Sequence, residues 1–116
     1  MLLFAFLPFG AAAQGRYAPP AALECHRNDL TVYIGEVTRY ARRDAKIAVT
    51  VKTDEDTVES ATVPEQAPML IDGQVMKKED WARVERKAGE LKAGMRLAIW
   101  VCRGSRTVLD WRPPQP

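Results

Sequence analysis

The chain has 116 residues, which allows one domain and no more. Its 17 Lys and Arg against 15 Asp and Glu give a formal net charge of +2, a mild basic balance well short of what polyanion binding usually shows. With 2 cysteines and 1 histidine, the usual cysteine-rich metal sites and His-dependent catalytic triads have little to draw on.

Leu2 to Phe9 is an uncharged apolar run, followed by Gly10-Ala11-Ala12-Ala13. Small residues at Ala11 and Ala13 form a signal-peptidase pattern, so residues 1–13 read as a signal peptide with cleavage after Ala13. The run is far shorter than the roughly 20 residues that cross a bilayer, so no membrane span is expected. A periplasmic or secreted location follows, and with it an oxidising compartment. Two cysteines there are most simply one disulfide, Cys25–Cys102, closing almost the whole mature domain. On the chain-entropy account such a loop stabilises a small fold by about 4 kcal/mol. Glu24 precedes Cys25 where a lipid-attachment site needs a small residue, so no lipid anchor is expected.

Residues 14–29, with Pro19 and Pro20, read as an extended arm, and residues 30–112 as the folded domain. A strand starts at Leu30 and shifts its apolar phase at Gly35, which predicts a bulge or bend there. A turn at Arg42–Ala45 leads to the clearest strand, in which Ile47, Val49 and Val51 alternate with Lys46, Ala48, Thr50 and Lys52. An acidic turn at Asp54–Asp56 precedes a third strand over Thr57–Val63, and Asp72-Gly73 marks a small hairpin. Trp81, Val84 and Ala88 at helical spacing, with Asp80 as N-cap and Gly89 near the end, predict a helix of two to three turns between Glu79 and Leu91.

Met95, Leu97, Ile99 and Val101 then face one way in a strand, and Arg96, Ala98, Trp100 and Cys102 the other. A turn at Gly104-Ser105 and a last strand over Thr107–Trp111 follow, before the Pro-rich tail at 113–116. This order predicts an all-β fold, a small five-stranded OB-like barrel with one short helix between the third and fourth strands; an SH3-like barrel is the alternative. Cys102 should lie on the outside of its strand, so that the disulfide straps the arm over the barrel exterior without crossing the core.

Gly35-Glu36-Val37, the strand Ile47–Val51 and the segment Leu91-Lys92-Ala93-Gly94-Met95-Arg96-Leu97 give residues 30–112 a layout similar to small bacterial periplasmic OB-fold proteins, the periplasmic copper chaperones of cation-efflux systems among them. The resemblance implies an envelope OB-fold. The copper proteins also carry a Met-x-Met pair near a strand histidine. This chain has no Met-x-Met and its His26 precedes the first strand, so the metal function does not transfer with the layout.

No G-x-S-x-G elbow, H-E-x-x-H helix or phosphate-binding glycine loop occurs, and neither enzymatic activity nor a cofactor is expected. The leading expectation is a non-enzymatic binding module of the bacterial envelope, meeting an envelope protein or an anionic polymer rather than nucleic acid. Its contact surface is read as Arg39, Tyr40, Arg42 and Arg43 together with an outward Trp100. The alternative is a soft-metal carrier using Met69, Met76, Met95 and His26, since thioethers and imidazole suit Cu(I). The acidic stretch from Asp54 to Glu65 opposes the basic first hairpin, a charge polarity that also favours homo-oligomers.

Overall fold

In the computed structural model residues 19–115 are described; the expected signal peptide and the start of the arm lie outside them. Nine strands run in chain order: β1 (Leu30–Arg43), β2 (Lys46–Thr53), β3 (Val58–Pro64), β4 (Leu70–Ile71), β5 (Gln74–Val75), β6 (Glu85–Lys87), β7 (Glu90–Leu91), β8 (Arg96–Cys102) and β9 (Thr107–Arg112). One α-helical turn, α1 (Trp81–Val84), lies between β5 and β6, and short 3-10 turns occur at Arg27–Asp29 and Lys78–Asp80. The fold is all-β, as the alternation predicts. No helix among the described residues is long and apolar enough to cross a membrane.

The main sheet has the order β3-β2-β1-β8-β9-β4-β5, and β6 pairs with β7 in a separate hairpin. Its hydrogen-bonded ladder is open, with β3 and β5 as its edges, rather than a closed five-stranded ring. After β3 the chain turns through Pro64–Ala67 and re-enters the sheet as β4, parallel to β9. The Asp72-Gly73 pair then reverses it into β5, both residues at positive φ as the tight hairpin turn requires.

β1 serves two partners. Leu30 to Glu36 pair with β8, and Gly35 to Arg43 pair with β2. Where both neighbours meet, the backbones close in: a Cβ on Gly35 would stand 2.0 Å from the Lys52 carbonyl oxygen. Gly35 therefore marks a close approach and not the expected bulge. The register shift falls three residues later, between Val37 and Arg39. There the Thr38 hydroxyl donates to the Thr50 carbonyl at 3.3 Å.

Period-two alternation sorts side chains into two apolar clusters. Ile47, Val49, Val51, Val63, Met69, Ile71, Val84, Met95, Leu97, Ile99, Leu109 and Trp111 form the main core. The opposite face of β8 and β9 is covered as well: Ala98, Trp100 and Val108 pack with Leu70 and with Leu23 of the arm. Cys25 and Cys102 are bonded, with Cα atoms 5.9 Å apart, and the link sits at the end of β8 where Leu30 pairs with Cys102. It ties the arm to the outer cluster without passing through the main core.

The predicted helix is much shorter than its apolar spacing suggests. Asp80 does not cap it through its side chain; its carboxylate accepts from the Lys77 amide at 2.8 Å. After Val84 the backbone turns extended at Glu85, and the β6–β7 hairpin replaces the remaining turns. Ala88 lies exposed in that hairpin. The tertiary contacts of Glu85, described next, override local propensity.

Candidate functional site

The outward face of β1, β2 and β3 is built from three aligned rows. Arg39 lies beside Thr50 and Ser60, Ala41 beside Ala48 and Thr62, and Arg43 beside Lys46 and Pro64. The residues between the cations are small, leaving a shallow trough of about 500 Å³ lined by Arg39, Ala41, Ala48, Thr50, Ser60 and Thr62. The Thr50 and Ser60 hydroxyls are 2.9 Å apart at its centre. Among the described residues no carboxylate pairs with Arg39, Arg43 or Lys46, and all three are exposed. The next cation along β2, Lys52, reaches Asp56 at 3.4 Å across the acidic turn.

Tyr40 also borders the trough, but its side chain and that of Arg42 turn away from this face. Alternation turns them inward while Arg39, Ala41 and Arg43 point out. Arg42 donates to both carboxylate oxygens of Glu85, at 2.7 Å from Nε and 2.5 Å from Nη2, and to Glu65 at 2.6 Å. The Tyr40 hydroxyl donates to the same Glu85 carboxylate. The Arg42 guanidinium lies over the Trp81 ring, 4.8 Å from its centroid, and Tyr40 meets Trp111 edge to face at 5.8 Å. This network ties β1 to α1 and β6 over one end of the main core.

The charges of the network follow from these contacts. Burial acts to raise the Glu85 carboxyl, but the hydrogen bonds from Arg42, Tyr40 and the Gly89 amide, with the Arg42 charge, hold it below its ordinary range. Burial and then the neighbouring Glu85 carboxylate push the Tyr40 phenol well up, so it stays a neutral donor. The hydrogen bonds to Glu85 raise Arg42 further against its partial burial. Arg42 is thus consumed internally and is unavailable to a partner.

Trp100 points away from the main core, as its phase predicts, yet it is only 2% exposed beneath the arm-covered cluster. It contributes nothing to an open contact surface. Its indole N–H donates to Asp110 at 3.3 Å; Asp110, fully buried, also accepts from the Gly73 amide at 3.0 Å and from Arg112 at 2.8 Å. Met69 and Met95 are buried in the main core and Met76 packs against it, whereas His26 is exposed beside Cys25. Met95 precedes β8 and Cys102 ends it, so about 20 Å of strand separates Met95 from the histidine's end of the molecule. The four residues do not gather into one ligand set.

Comparison of the chain with family models, with curated proteins and with solved structures finds no match. The site therefore rests on its own geometry. Arg39 and Arg43 are legible in the sequence, whereas the Thr50, Ser60 and Thr62 floor between them is not. The alternation of β2 was the available signal: it already placed Thr50 outward. Glu85 and Asp110 carried no signal, because one sat in an expected helix and the other in an expected strand without known neighbours.

Proposed function

We propose that this chain is an exported, non-enzymatic binding module of the bacterial envelope, built as an OB-like barrel, whose outward β1–β2–β3 face holds an anionic polysaccharide. The OB reading is supported by the pairing of β1 with both β2 and β8, the parallel contact of β4 with β9, and the helical turn between the third long strand and β8. Export is supported by the Cys25–Cys102 bond, which persists in oxidising compartments, and by the apolar leader in the sequence.

The observation that carries the ligand class is a set of cations without carboxylate partners among the described residues: Arg39 lines a trough of small and hydroxylated residues, and Arg43 and Lys46 lie two rows along the same face. Guanidinium groups pair with carboxylate or sulfate on a polymer, and the Thr50, Ser60 and Thr62 hydroxyls suit sugar hydroxyls in the same trough. A low-affinity, salt-sensitive interaction is the expected mode.

Binding to immobilised anionic and neutral polysaccharides at low salt tests this. The wild-type chain should bind the anionic polymer only, and Arg39→Glu/Arg43→Glu should weaken it by at least about tenfold with the fold unchanged. Retention of full binding by the double variant, or no binding to any anionic polysaccharide, would refute the assignment.

A further inference from the structure

The strand at one edge of the main sheet, β3, has no hydrogen-bonded partner on its outer side among the described residues, although it also approaches β9. Two backbone bonds fix which of its groups face outward: Thr53 N–H donates to the Thr57 carbonyl, and Glu65 N–H donates to the Ala45 carbonyl. The antiparallel ladder therefore turns Thr57, Glu59, Ala61 and Val63 toward β2. The N–H and C=O groups of Val58, Ser60 and Thr62 point away from the sheet. Among the described residues Val58 is also one of the few large apolar side chains left open, at 68% exposure.

An edge of this kind is a template for another strand unless the chain blocks it. Here the blocking devices are slight. Glu59 is set toward the interior side of the strand, and Pro64 stops the edge only at its far end. The outward side chains along the open stretch are Val58, Ser60 and Thr62, of which the β-branched Val58 and Thr62 suit a sheet.

We propose that β3 pairs antiparallel with β3 of a second copy, about a two-fold axis at Ser60. In that register Ser60 faces its own counterpart, Val58 faces the second copy's Thr62, and Glu59 faces Ala61 instead of another carboxylate. Between Val58 and Thr62 no like charges are opposed. The charge distribution along β2 supports the same pairing. Each copy has Lys46 and Arg43 beside Pro64 at one end of the face, and the Asp54-Glu55-Asp56 turn at the other. Antiparallel pairing brings the acidic turn of one copy to the Pro64 end of the other, where Lys46 lies one strand further on. The complementarity occurs twice by symmetry, as an isologous contact requires. Two rows of Arg39, Thr50 and Ser60 then join end to end into one continuous face. The pairing rests on the edge and its charges and stands whether or not the polysaccharide reading holds.

Sedimentation equilibrium and residue-level amide exchange of the purified chain, without added ligand, test the proposal across a protein concentration series. At low salt the chain should move to twice its monomer mass. The Ser60 and Thr62 amides, open in the monomer, should slow by at least about tenfold as the dimer fills. Thr62→Pro removes an outward N–H that β2 does not use, and should leave a folded monomer. Lys46→Glu, at an exposed side chain, should weaken the dimer by about tenfold and serves if the proline variant loses its fold. A chain that stays monomeric throughout, or a dimer whose Ser60 and Thr62 amides exchange as in the monomer, overturns the proposal.

Discussion

Replacing Glu85 with glutamine isolates the charge that holds α1 and β6 onto β1. The side chain keeps its size and one acceptor oxygen, but loses the anion to which Arg42 donates at 2.7 and 2.5 Å and Tyr40 donates a further bond. A hydrogen bond to a charged group contributes about 1.5–3 kcal/mol, and stripping a buried guanidinium of its partner costs about 3–5 kcal/mol. Arg42 keeps Glu65 at 2.6 Å and part of its solvent exposure, so the lower end applies, about 3 kcal/mol. Urea unfolding of wild type and Glu85→Gln at neutral pH measures the difference. The acid dependence provides a second reading. Because the folded protein holds the Glu85 carboxyl below 4.5, its contribution is complete above that pH and is lost as pH falls through the folded value. Glutamine does not titrate, so the gap between the two proteins should narrow on acidification below pH 4.5. A difference under about 1 kcal/mol at neutral pH, or one that does not shrink in acid, would show that the network does not anchor this end of the fold.

Gly35→Ala should destabilise the fold by about 3 kcal/mol in the same unfolding assay, since the added Cβ would stand 2.0 Å from a backbone carbonyl that cannot swing aside. Reduction of the Cys25–Cys102 bond, or Cys25→Ser/Cys102→Ser, should cost about 4 kcal/mol and lower the thermal midpoint without changing the far-ultraviolet strand signal near the transition's base.

The long strands were legible because β2, β8 and β9 carry alternation with few interruptions, and the Asp72-Gly73 hairpin carries its own turn chemistry. The disulfide was legible from cysteine count alone. What failed has a common cause: each failure needed knowledge of a neighbour. Trp81, Val84 and Ala88 fit a helical stripe, yet Glu85 leaves that path to meet Arg42 and Tyr40, which lie more than forty positions earlier. Proximity along the chain groups Tyr40 and Arg42 with Arg39 and Arg43, although a strand sends alternate residues to opposite faces. Trp100 was correctly placed off the main core, but its phase could not reveal that Leu23 and Val108 cover that side too. The open ladder has the same origin, since the break between β3 and β4 depends on where Pro64–Ala67 turns and which strand β4 then meets.

The span of the Cys25–Cys102 link also bears on how the protein matures. Synthesis runs from the N-terminus, so Cys25 is made 77 residues before its partner, with no other thiol in between. A lone pair of cysteines permits one intramolecular pairing, and no reshuffling step is needed to reach it. The competing product is a crosslink between two chains, formed while Cys25 waits. An oxidant without an isomerase is therefore sufficient, and the rate at which the C-terminal strands arrive sets how long the chain remains open to that error.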